Sequence, residues 1–185
     1  MAPKDPLKKL RAENPESDEI LGRLMALQTE PDYVAAIVAP SLVEHTLQLA
    51  LLAKFVPLSE SQQNALFIDA QNGVLSSLGV KNRIAHAIGL YGQSTFSDLD
   101  RLRSVRNTFA HTKMAIKFDT PEVAAVCRQF ELLPRHYLPE TLAETAPKQL
   151  FLWATTHLHL AIYSTWHHHL VKAVEQAVPD APPLP

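Results

Sequence analysis

Arg106, Asn107 and His111 fall inside the short run Arg106-Asn107-Thr108-Phe109-Ala110-His111. Together they have the chemistry to handle a phosphodiester. A histidine near its ordinary pKa gives or takes a proton at working pH. An arginine holds a phosphate through two parallel hydrogen bonds and stabilises the extra charge of a transition state. Ribose brings its own nucleophile, the 2′-hydroxyl, so acid–base cleavage of RNA on such a motif requires no metal and no cofactor. Full catalysis wants two proton carriers and the run supplies one. A two-fold dimer with facing motifs would supply the second. Arg103, Lys81 and Lys113 are the cations placed to touch an RNA backbone nearby, against the simpler reading of a solvated face.

The element that must position these groups is a helix over Ser94–His111. With Phe96 at zero and about 100° per residue, Leu99, Leu102, Val105 and Phe109 make an apolar stripe. Asp100, Arg103, Asn107 and His111 make a separate polar face. Asn107 and His111 are one turn apart and their side chains can meet. Arg106 falls at about 280°, inside the edge of the apolar stripe. An unpaired charge there is costly, so it needs a partner or a purpose. A structural ion pair to Glu44, Asp98 or Asp100 and a functional anion contact both satisfy that demand.

Helical periods and caps predict the remaining elements. Asp18–Gln28 is a short helix. Pro31–Phe55 is a long one, kinked by Pro40 or with Pro40 marking its early part. Ser59–Ile68 follows, then a loop around Gly73, then a helix capped by Ser77 that runs through Leu90, with Gly92 after its end. Thr112–Asp119 reads as irregular, with room for a short extended piece. Thr120-Pro121-Glu122 opens a helix to about Phe130. Leu132–Ala146, with Pro134 and Pro139, reads as loop. Pro147–Ala177 is a long helix, apolar nearly all round, which places it centrally. The expected architecture is an all-α, single-domain helical bundle over 18–178. The segment 1–17 and the Pro-rich 179–185 are expected to be flexible tails.

The bulk numbers exclude several classes. The 185 residues are 46% apolar and 19% charged, with 5 glycines and one cysteine. That fits one globular domain without a Gly-rich phosphate loop and without an internal disulfide. The opening residues carry no apolar leader, and the most apolar stretch, Leu150–Tyr163, is too short to span a bilayer. The expectation is a cytoplasmic protein with no membrane partner. A formal net charge of −2 weighs against direct binding to duplex DNA. His157, His159, His167, His168 and His169 include no pair at a spacing of three or four, so no metal site is expected on that helix. They read as solvated and hydrogen-bonded core histidines. Trp153, Tyr163 and Trp166 read as core or dimer contacts, and Cys127 as a small buried residue.

The run Asp98–His111 resembles the signature helix of the HEPN superfamily, whose motif is Arg-x4–6-His, and within it the mannitol operon repressor family. Asn72-Gly73-Val74-Leu75-Ser76-Ser77, followed by Lys81, is similar to that family's loop. Ala87-Ile88-Gly89-Leu90 resembles its helix end, and Phe118–Glu122 with Cys127 resembles the segment that follows. The likeness covers roughly 31–172, in order; the tails, Pro40 and the histidines of the last helix depart from it. The resemblance implies a helical bundle that forms a homodimer. It implies a regulator of gene expression, either a metal-independent endoribonuclease acting on single-stranded RNA through Arg106, Asn107 and His111, or a non-catalytic transcriptional regulator or scaffold acting through a protein partner.

Overall fold

Two long apolar helices organise the chain. The computed structural model describes residues 15–68, 72–133 and 139–177, and every regular element among them is a helix. In order they are α1 (Ser17–Ala26), α2 (Asp32–Leu52), α3 (Glu60–Phe67), α4 (Leu78–Ala87), α5 (Gln93–His111), α6 (Pro121–Cys127), α7 (Pro139–Glu144) and α8 (Pro147–Ala177). Of the expected tails, 1–14 of the first and all of 179–185 lie outside the described residues, while Ser17, expected in the first tail, begins α1.

α2 and α8 form the most extensive contact in the bundle. Ala35, Ala36 and Ala39 are fully buried along α2, and Leu150, Phe151, Ala154 and Leu158 along α8. Small residues on one helix let the large ones of the other approach, and the stripe of each is removed from water. By length and composition alone α2 could cross a bilayer, but more than half of its apolar window is buried inside the bundle. It is the core helix of this fold. Pro40 sits within α2, buried, and the helix continues past it.

Local chemistry sets several of the helix ends. Ser59 and Gln62 close a capping box at the start of α3. The Ser77 hydroxyl accepts from the Val80 N–H at the start of α4. α4 stops at Ala87, short of the expected Leu90. The reason is Gly89, at φ 73°, where the Gly89 N–H reaches the His86 carbonyl and the Leu90 N–H reaches that of Ala85. This is the paired C-terminal closure that needs a left-handed residue, with Leu90 buried behind it. Gly92, expected to follow the end of α4, instead precedes α5 as its N-cap. α6 also ends early, at Cys127. The segment expected to be loop contains α7, with Pro139 as its first residue, a position where the missing N–H costs nothing. Residues 112–120 hold no strand.

Candidate functional site

α5 carries the site, and its apolar stripe fixes how it lies. Leu99, Leu102, Val105 and Phe109 are all buried. Phe109 meets Phe118 at 5.1 Å between ring centroids, and Phe118 meets Phe151 of α8 at 4.9 Å. These tilted ring contacts pin the C-terminal end of α5, the end that carries Arg106 and His111, to the core. Earlier in the helix the Asn82 side chain donates to the Phe96 carbonyl at 3.0 Å, locking α4 to α5.

Asp98 is the main anchor of α5, and its role was not legible beforehand. It is fully buried. Its carboxylate accepts from the Glu131 N–H at 2.9 Å, from the Leu132 N–H at 2.8 Å and from Arg101 Nη1 at 2.6 Å. Arg101 also reaches Glu131 at 3.0 Å. Asp98 therefore ties α5 to the turn after α6. Its buried position on the helix is the one available signal, and it reads as easily as an ion-pair partner for Arg106.

Arg106 and Asn107 are half-buried near the end of α5, and His111 is exposed as its last residue. All three acids considered as partners for Arg106 are engaged by other cations. Glu44 holds Lys81 Nζ at 2.7 Å, Asp98 holds Arg101, and Asp100 holds Arg103 at 2.8 Å. Among the described residues Arg106 Nε is buried with no hydrogen-bond partner. A buried N–H without an acceptor is costly, and none of the three acids compensates it.

The structure separates the three candidate backbone contacts. Arg103, on the polar face, pairs with Asp100 and lies over Gly79, where an added Cβ would come within 3.2 Å of its Cδ. Lys113 is exposed just past the end of α5. Lys81 is a correction: it is only 3% exposed, and it points into the α2–α4 contact onto Glu44. It braces two helices and offers no cation at the surface, because α4 turns that face toward α2.

The other singled-out groups sort plainly. Cys127 is fully buried, and burial pushes its thiol up to about 12, far from a nucleophile's range. His157 Nδ1 meets the Trp153 carbonyl at 2.8 Å. His159 is fully buried between two hydroxyls, Ser17 Oγ at 3.0 Å and Thr46 Oγ1 at 2.8 Å. His168 and His169 have side chains outside the described residues. No group of three or more potential metal ligands occurs among the described residues. No family model, no curated protein and no solved structure matches this chain.

Proposed function

We propose that this chain is a cytoplasmic regulator of gene expression that cuts single-stranded RNA at the end of α5, as a homodimer. The observation that carries the reading is Arg106: half-buried, its Nε without a partner, every nearby candidate acid already taken. A structural brace would be paired. An arginine with none of those acids as a partner, on the same closing turns of α5 as an exposed histidine, is suited to a phosphate.

The chemistry follows from the groups present. His111 removes the proton from the ribose 2′-hydroxyl. That oxygen attacks phosphorus, and the bond to the 5′-oxygen breaks. The leaving oxygen takes a proton from His111 of the partner subunit. Arg106 holds the non-bridging oxygens as their charge grows, and Asn107 orients the phosphate by hydrogen bonds. The products end in a 2′,3′-cyclic phosphate and a 5′-hydroxyl. No metal is required because the substrate supplies the nucleophile.

The test is cleavage of single-stranded RNA by the full chain with EDTA present. Wild-type protein is expected to leave 2′,3′-cyclic ends, and His111→Ala and Arg106→Ala are each expected to lose about 10²–10⁴-fold in rate. Intact RNA with wild-type protein overturns the nuclease reading. A non-catalytic regulator acting through a protein partner is the second reading. The observation favouring it is Met114, which is 80% exposed three residues beyond His111, where an apolar side chain suits a protein contact more than RNA.

A further inference from the structure

Between α1, α2 and α8 lies a cavity of about 250 Å³. Its walls are mainly apolar, with Ile20, Leu49, Tyr163 and Trp166 among them. The rings are ordered: Tyr163 lies edge-on to Trp166 at 5.4 Å and stacked with His159 at 5.9 Å. At its polar end His159 is fully buried and aims its imidazole between Ser17 and Thr46.

The hydrogen bonds assign the imidazole's proton. Thr46 donates its hydroxyl hydrogen to the Leu42 carbonyl at 3.2 Å, so Thr46 Oγ1 accepts from His159 Nδ1–H. Nε2 is then the lone-pair nitrogen, and the Ser17 hydroxyl donates to it. Burial, then the neighbouring His45, holds the pKa of His159 below the ordinary histidine value, so the ring is neutral and Nε2 remains an acceptor at pH 7. Glu16, also lining the cavity, adds a carboxylate at the rim. That disfavours an anionic occupant. An apolar cavity of roughly 150 Å³ already admits a benzene ring, so this one has room for a ring and its substituents.

We propose that this cavity is a binding site for a small neutral aromatic molecule of the phenol or indole class. Its ring packs against Tyr163 and Trp166, and its O–H or N–H donates to His159 Nε2 in place of Ser17. Ser17 is the first residue of α1, so the occupant and the start of that helix compete for one acceptor. The site is independent of the RNA chemistry at α5.

The full chain is titrated by calorimetry with p-cresol, and with toluene as the control that lacks a donor. Saturable one-to-one binding of p-cresol is expected, with toluene weaker by about tenfold, the worth of one hydrogen bond. Ser17→Ala frees Nε2 and is expected to tighten p-cresol binding several-fold. Leu49→Trp fills the cavity and abolishes binding. Should that variant melt early, Trp166→Ala removes a partly exposed wall and weakens binding instead. The proposal is overturned by wild-type protein that shows no saturable p-cresol binding, by toluene binding as well as p-cresol, or by variants that leave the affinity unchanged.

Discussion

The bundle holds two kinds of polar group, and they are treated oppositely. In its interior the first half of α5 and its neighbours are closed. Asp98 uses both carboxylate oxygens on backbone N–H groups and Arg101, Lys81 has Glu44, and His159 has a hydroxyl on each nitrogen. Two groups break the pattern: among the described residues, His45 Nε2 on α2 and Arg106 Nε near the end of α5 are buried with no hydrogen-bond partner. The same helix thus satisfies its polar groups where they brace the fold and leaves one open where the surface begins. A buried polar group is cheap only when bonded, so the closed groups serve stability. Of the two unbonded groups, Arg106 Nε is the one on the helix that carries the candidate site.

The largest effect falls on the closed side. Asp98→Ala strands the N–H groups of residues 131 and 132 and removes one of the two carboxylate partners of Arg101. A loss on the order of 4 kcal/mol is expected, at about 1–3 kcal/mol per stranded buried group, read as a drop in the urea midpoint. A variant as stable as the parent would dissolve the distinction between the two regions.

A smaller effect comes from acid. His45 is held below its ordinary pKa by burial, then by Lys81, and His159 by burial, then by His45. Both are favoured neutral in the fold, whereas the unfolded chain takes up protons near pH 6.5. The unfolded state then binds more protons, so the contribution of this pair is fully present above about pH 6.5 and is lost as pH falls from there toward the lower folded values. Urea midpoints at pH 7.5 and 5.5 should show the decline, and His159→Gln should flatten it. An unchanged slope in that variant would remove His159 from the explanation.

The smallest effect is expected at Arg106. Arg106→Ala should change stability by no more than about 0.5 kcal/mol, or raise it, since the substitution removes a half-buried charge with no partner for its Nε. A melting temperature several degrees lower would make Arg106 a brace and place it with Asp98 on the closed side.

Apart from α7, which falls in a segment expected to be loop, the helices were legible in the sequence because their causes are local. Ser59 with Gln62, Ser77 and Pro121 act within a turn of the ends they set, whereas the Thr120 hydroxyl, expected to cap α6, accepts from the Lys117 N–H instead. The stripe Leu99, Leu102, Val105 and Phe109 follows from the 3.6-residue period, whereas the central place of α8 follows from its being apolar nearly all round. Gly89 was legible in type but not in role, since a left-handed closure depends on where the preceding turn ends. Partner choice was decided only by tertiary structure. Lys81 looked like a surface cation until α4 turned it onto Glu44, 37 residues earlier. Asp98 became an anchor because the turn after α6 arrives beside it with two N–H groups to satisfy. The cavity around His159 exists because α1, α2 and α8 meet there, and no spacing along one helix encodes it. Caps and periods are short-range and repeat with the backbone, whereas a side chain's partner depends on how separate helices pack.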